Sequence, residues 1–420
     1  MVRSSQKLAT PKYELQRAAI LDGAARVFNS KGVKGTTLAD IAASVGLIKT
    51  SVTYYFKRKE DLAAACFART IDAYNRLIDD ALASTDAPRQ RVALFLANYF
   101  HLYRTIATGE RPDLLLFGDL RAMTEPHVGP VFSAYTDMFR NVRRLLQTPE
   151  QTGADRQGLN ARAHFLLSQV LWTTGWIQRY EPSDFDRVAK RMADILVDGI
   201  LVPDRRWSAP PTLAGLARPS DAQEAFLQAA TDLINEQGYH GASVEKISAK
   251  LNLTKGSFYH HYDAKDELVV ACFERTFAIV REAIEETRSA PDNFERINRT
   301  GAQLIGFQMG GRGPLLRTAA LAALPEALRE QMKTRFRFLA DKVADLVSDG
   351  IAENVFRPID PFIASQVFTA MINSAQELRR WVPGTSENAV LGLYLAAFFD
   401  GIAGTAAETT KPFRQFTRAR

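Results

Sequence analysis

Apolar positions recur along this chain at the spacing of a helix. Ile20, Ala24, Val27 and Phe28 stand at i, i+4, i+7 and i+8, and Phe226, Ala230, Leu233 and Ile234 repeat the pattern far downstream. A stripe of that period is the buried side of an amphipathic helix. Each stripe precedes a shorter one: Leu38, Ile41 and Val45 in the first instance, Val244, Ile247 and Leu251 in the second. Long amphipathic stretches follow both. They break at Pro88, Pro112, Pro126, Pro149 and Pro182, then at Pro291, Pro314, Pro325, Pro358 and Pro383. Proline interrupts a helix because it lacks an N–H and its ring clashes with the preceding turn. No run alternates apolar and polar residues as a half-buried strand does. The pattern predicts an all-α chain.

The two sets of stripes are copies. Shifted by 206 residues, positions 24–70 align with 230–276 without a gap, and sixteen of the 47 pairs are identical. Gly32 and Gly238, Lys49 and Lys255, Ser51 and Ser257, Lys59 and Lys265 are among them. Similarity resumes near the end of each half, where Asp198-Gly199-Ile200 matches Asp400-Gly401-Ile402. One two-domain fold is therefore written twice. Positions 202–219, with four prolines, read as a semi-rigid linker, and Ser220 stands ready to cap the helix after it. The two cysteines, Cys66 and Cys272, are copies of one position and read as small buried helix residues.

The segment from Thr37 reads TLADIAASVGLIKTSVTYYFKRKEDL, and that from Ser243 reads SVEKISAKLNLTKGSFYHHYDAKDEL. Thr37 can cap a short helix, with Asp40 as its capping-box partner. Gly46, or Asn252 in the second copy, suits a sharp left-handed turn. A second short helix then turns Val52 and Phe56 inward, and small, hydroxylic and basic residues outward. This is a helix-turn-helix, whose second helix can enter a DNA major groove. With its trailing Lys-acid-acid-Leu, it resembles the DNA-binding motif of the TetR family of bacterial transcriptional regulators.

That resemblance covers nearly the whole chain, twice. It implies a basic arm at 1–13, DNA-binding units at 14–74 and 220–280, and helical regulatory domains at 75–201 and 281–410. The linker and a basic tail at 411–420 complete the layout. Together with side-chain chemistry, it implies DNA contacts from Thr37, Lys49, Thr50, Ser51, Thr53, Tyr54 and Lys59. The second copy would use Ser243, Thr254, Lys255, Gly256, Ser257, Tyr259, His260 and Lys265. The first copy departs from the family pattern: Ile48 stands where a polar cap is usual, Thr50 replaces a glycine, and Thr53 a tyrosine. A polar N-cap is worth about 0.5–2 kcal/mol, so this helix start is weaker or shifts to Thr50.

Charge separates the copies. Residues 1–62 hold 11 Lys+Arg against 5 Asp+Glu, a net of +6, whereas 221–268 hold 4 against 8, a net of −4. The first copy has the stronger field for a polyanion and the second the more regular motif. Arg3, Lys7 and Lys12 precede the first acid, Glu14, and suit a phosphate rail.

The family's regulatory domain usually binds a small ligand and dimerises through its last two long helices. Here the expectation is an intramolecular pseudo-dimer, with helices at 168–181 and 186–201 packed against 363–381 and 388–404. Its unlike recognition helices would read an asymmetric operator on double-stranded DNA. Further homodimerisation is compatible with this arrangement. Candidate effector contacts are Tyr99, His101, Tyr103, Phe117, Trp172 and Trp176, with Phe307 and Arg312 in the second half. Apolar and aromatic walls suit a hydrophobic or acyl-type effector. The longest apolar run has eleven residues, so no membrane span is expected, and the location expected is cytoplasmic. The six histidines show no metal-ligand spacing and no nucleophile motif occurs, so neither a cofactor nor catalysis is expected. The competing reading is a protein-interaction module in which one or both helix-turn-helix units no longer bind DNA.

Overall fold

The computed structural model describes residues 10–148, 156–211, 216, 222–251, 264–310, 314–384 and 386–403. In the first half, α1 (Pro11–Gly35), α2 (Leu38–Ser44) and α3 (Lys49–Tyr55) form a three-helix unit, and α4 (Lys59–Ser84) leads out of it. A bundle follows: α5 (Pro88–Ala107), α6 (Val128–Leu145), α7 (Arg156–Trp172) and α8 (Phe185–Asp198). The second half repeats the order with α9 (Ala222–Gly241), α10 (Val244–Lys250), α11 (Lys265–Glu286), α12 (Asn293–Met309) and α13 (Glu326–Ala352). It ends with α14 (Pro361–Ser374), the short α15 (Leu378–Trp381) and α16 (Glu387–Phe399). Matching 3-10 segments, Phe117–Ala122 and Thr318–Ala323, sit between α5 and α6 and between α12 and α13. Among the described residues no strand forms; an isolated antiparallel bridge joins Leu201 to Phe356. No described helix is long and apolar enough to cross a membrane. The first helix starts at Pro11, capped by Thr10, so it takes in the last residues of the expected 1–13 arm. Arg3, Lys7 and Ser220 lie outside the described residues.

The sequence repeat is also a repeat of hydrogen bonds. Cys66 Sγ and Cys272 Sγ each donate to a carbonyl of the first helix, Leu21 O and Leu227 O, both at 3.7 Å. The amide of Asn29 clamps the strand-like segment before the 3-10 turn, donating to Leu114 O (2.9 Å) and accepting from Leu116 N (3.0 Å). Asn235 does the same to Leu315 O and Arg317 N, at the same two distances. The first helix of each half breaks at a glycine with positive φ, 72° at Gly32 and 71° at Gly238. That conformation strains any residue with a Cβ, and it swings the chain into the next short helix.

The two halves share one apolar core. Helix α7 lies along α14 and α16, and α8 also meets both. Gln169 Nε2 donates to Val367 O at 3.2 Å, Trp172 Nε1 to Gln366 Oε1 at 3.1 Å, and Asn160 Nδ2 to Trp381 O at 2.8 Å. The rings of Phe139 and Trp381 stack with centroids 3.6 Å apart, and Trp176 meets Phe362 edge-on at 5.9 Å. At the centre the repeated Asp-Gly-Ile motifs face each other. A Cβ on Gly199 would lie 2.1 Å from Phe399 O, and one on Gly401 2.3 Å from Val197 O. Ile200 N and Ile402 N then donate across the junction to Phe399 O (3.0 Å) and Leu196 O (2.9 Å). Only glycine lets these backbones approach so closely.

Two details differ from the sequence expectation. The helices expected over 168–181 and 363–381 both break early, into 3-10 turns at Thr173–Gly175 and Ala375–Glu377. Thr173 and Thr174 bond back to Gln169 O and Leu171 O, and Ser374 to Met371 O, which loosens the last helical turn. The linker, in turn, is docked on the second half. Trp207 Nε1 donates to the buried Asn298 Oδ1 (3.0 Å) and Trp207 N to Asp400 Oδ1 (2.9 Å), while Arg205 pairs with Asp292 and covers the Phe294 ring.

Candidate nucleic-acid interface

The first helix-turn-helix is built as its residues dictate. Thr37 Oγ1 accepts from Asp40 N (3.2 Å), and Thr37 N donates to Asp40 Oδ2 (2.9 Å), which closes a capping box on α2. The Lys31 ammonium at 2.7 Å, with the Thr37 hydroxyl and N–H, holds the Asp40 carboxyl well below the usual carboxylate range. Gly46 takes φ 66°, and Leu47 N returns to Ala42 O at 2.8 Å. Val52 and Phe56 are buried and anchor α3 to the unit's core.

The opposite face of α3 points to solvent. Lys49 and Thr50 are exposed, Ile48 is 71% exposed and Tyr54 68%. Helix α3 begins at Lys49 with Ile48 as an N-cap that offers no side-chain bond, so the start does not shift to Thr50. Ser51 is half-buried, and Thr53 bonds back to Thr50 O at 2.9 Å. Tyr54 belongs to a ring cluster with Tyr55 (5.1 Å) and Tyr13 (6.2 Å), the last from the start of α1. Tyr13 was not anticipated, because its partners lie about forty residues away. The exposed ridge from Ile48 through Lys49 and Thr50 to Tyr54 can contact phosphates and base edges.

Two sequence-based assignments change role. Lys59 Nζ donates to Val33 O (3.0 Å), Lys34 O (3.1 Å) and Thr36 O (3.0 Å). Its three donors close the C-terminal end of α1, where a cation also offsets the helix dipole, and leave none for a phosphate. Lys265 stands at the matching place with one such bond: it donates to Tyr239 O and lies 4.2 Å from the Tyr239 ring centre, with burial pushing its ammonium pKa down. Both ammonium groups are thus engaged at the end of a first helix. Thr37 is likewise engaged in its cap. In the second unit Ser243 caps α10 by accepting from Lys246 N at 3.3 Å. Thr254, Lys255, Gly256, Ser257, Tyr259 and His260 lie outside the described residues.

The candidate effector residues separate into groups. Tyr99, Tyr103 and Phe117 meet in one cluster with Tyr74 and Tyr135, which sequence reasoning missed. Tyr99 is 4.6 Å from Tyr103 between ring centres, Tyr74 5.6 Å from Phe117, and Phe117 5.1 Å from Tyr135. Burial pushes the Tyr74, Tyr99 and Tyr103 hydroxyls above the usual phenol range, and Tyr99 OH donates to Val170 O at 2.7 Å. His101 is exposed beside Arg104 and lines no interior, because α5 turns it outward. Trp172 and Trp176 serve the junction between halves. Phe307 is buried 5.5 Å from the Arg275 guanidinium, and Arg312 lies outside the described residues.

The family model for bacterial regulatory proteins of the tetR family matches twice, over residues 20–66 and 226–272. The regulator UidR of Escherichia coli K12 is 36% identical over 134 residues, covering 30% of this chain and 66% of that protein. The fatty acid metabolism regulator protein of Bacillus subtilis is 21% identical over 203 residues, covering 46% of this chain and 98% of the relative. Among solved structures, AibR in complex with isovaleryl coenzyme A and operator DNA aligns with a TM-score of 0.38 at 20% identity, over 42% of this chain and 96% of that one.

Proposed function

Since the chain belongs to the TetR family of transcriptional regulators, with the family's DNA-binding domain present in tandem, we propose that it is a ligand-responsive repressor working as an intramolecular pseudo-dimer. The observation that carries this is the junction of α7 and α8 with α14 and α16, glycine against backbone on both sides. It joins two copies of one fold in the way two subunits of a symmetric dimer would meet. One chain then brings both helix-turn-helix units to a single stretch of duplex. Because Ile48, Thr50, Thr53 and Tyr54 differ from Thr254, Gly256, Tyr259 and His260, the operator is asymmetric. In this reading Lys49, Thr50 and Tyr54 make the first unit's contacts, and Lys255, Ser257, Tyr259 and His260 the second's.

The Bacillus subtilis relative is named a fatty acid metabolism regulator, which supports an acyl-type effector; the Tyr74–Tyr99–Phe117 cluster is closely packed, so such an effector would have to part these rings to enter. Such a ligand acts by favouring one arrangement of the two DNA-binding units over another. The test is selection of binding sites from random DNA, followed by light scattering of the complex. One chain per duplex on a two-part, non-palindromic site supports the proposal. Two chains on a perfect inverted repeat would refute it.

A further inference from the structure

The two DNA-binding units touch each other, and the contact is built from both halves. Helix α1 packs against the 3-10 segment Thr318–Ala323 of the second half as well as its own Phe117–Ala122. Helix α9 packs against both segments in the same crossed fashion. The two 3-10 segments and the two first helices therefore make one block, in which each first helix meets both segments. Asn29 and Asn235 tie the first helices to the chain entering that block, each with a donated and an accepted bond of 2.9 and 3.0 Å. Thr70 Oγ1 holds the same chain at Leu115 O (3.0 Å), and Leu316 N donates to Thr276 Oγ1 (2.9 Å). A hydrogen bond also spans the units directly: Lys34 Nζ donates to Gln237 O at 3.0 Å. A Cβ on Gly241 would come within 2.7 Å of that ammonium.

We propose that Asn29, Asn235 and Lys34 are positioning residues that set the distance and rotation between the two DNA-binding units, and so the spacing of operator half-sites. This rests on the reading that both units bind one operator. An amide that bonds through both its ends leaves its segment little freedom to slide, whereas units joined only by a tether would tolerate different spacings. On DNA, one added base pair moves a half-site by about 3.4 Å and turns it by about 35°, from a repeat of roughly 10.5 pairs per 34–36 Å. The crossed packing of α1 and α9 on the two 3-10 segments and the Lys34–Gln237 bond cannot follow that change without breaking.

The experiment uses the full chain and its selected operator, with one or two base pairs inserted or removed between half-sites. For the unaltered protein, affinity should fall about tenfold or more per base pair, some 1.4 kcal/mol for each factor of ten. Asn29→Ala, Asn235→Ala and Lys34→Ala should each shrink that penalty to about threefold, while affinity for an isolated half-site stays unchanged. Lys34 is exposed, so its replacement tests the idea even if an asparagine variant folds poorly. Variants that retain the full spacing penalty would overturn the assignment. So would an unaltered protein that accepts every spacing equally. A footprint over a single half-site would overturn both this inference and the pseudo-dimer reading, and it is distinguishable from the other outcomes by its length.

Discussion

Replacing Lys59 separates a structural lysine from a DNA-contacting one. In the sequence Lys59 follows the recognition helix and invites a phosphate contact. In the structure its ammonium bridges Val33 O, Lys34 O and Thr36 O at 3.0, 3.1 and 3.0 Å, and a half-buried stem leads it there. Hydrogen bonds from a charged donor contribute about 1.5–3 kcal/mol, and a cation at a helix C-terminus about 0.3–1 kcal/mol. Water can reach the freed carbonyls on this partly open surface, so Lys59→Ala should cost roughly 1–2 kcal/mol in all. For a cooperative unit of about 200 residues that is a fall of about 3–6 °C in melting temperature. Calorimetry measures that fall, and a titration of operator DNA across a salt series measures the other half of the prediction. The slope of log K against log salt should not change for Lys59→Ala. Lys49→Ala, on the exposed face of α3, should instead lower the slope by about 0.9 and leave the melt alone. If Lys59→Ala lowers the slope by about one while the melting temperature holds, the ammonium is on a phosphate and the capping argument is wrong.

Three further outcomes are expected. Gly199→Ala places a Cβ against Phe399 O in a positive-φ backbone and should cost well over 2 kcal/mol, whereas Gly46→Ala, with similar φ but open space, should cost only about 1–2 kcal/mol; equal denaturant midpoints for the two would refute the close approach of the halves. Burial pushes the Cys66 and Cys272 thiols up to about 12, so iodoacetamide at pH 8 should leave both unmodified in the native protein, and mass spectrometry showing rapid native alkylation would contradict that. Burial also lowers the His164 pKa from 6.5 to about 4, so the unfolded chain binds the extra proton between those values. Stability should therefore be steady above pH 6.5 and decline by up to about 3 kcal/mol as pH falls to 4, and in His164→Gln that part of the decline should vanish from the denaturation curves.

The all-helical class, the duplication, the helix-turn-helix units and the paired cysteines were legible in the residues, because each depends on local spacing. Apolar residues at helical period must face a core. Thr37 three residues before Asp40 must close a cap. A positive-φ turn calls for glycine at Gly46. An identical pair such as Asn29 and Asn235 marks a position used the same way twice, although the sequence does not say for what. Tertiary structure decided everything that depends on distant partners. Lys59 looked free until the end of α1 was folded against it. Tyr74 and Tyr135 joined Tyr99 only when α4, α5 and α6 came together. His101 and Tyr103 are two residues apart in the chain, yet α5 sends one outward and the other inward. The repeated Asp-Gly-Ile was visible as a motif, but its purpose appeared only when Gly199 met the backbone of Phe399. A stripe of apolar residues says which side of a helix is buried. What it is buried against is set by long-range packing that no local pattern encodes.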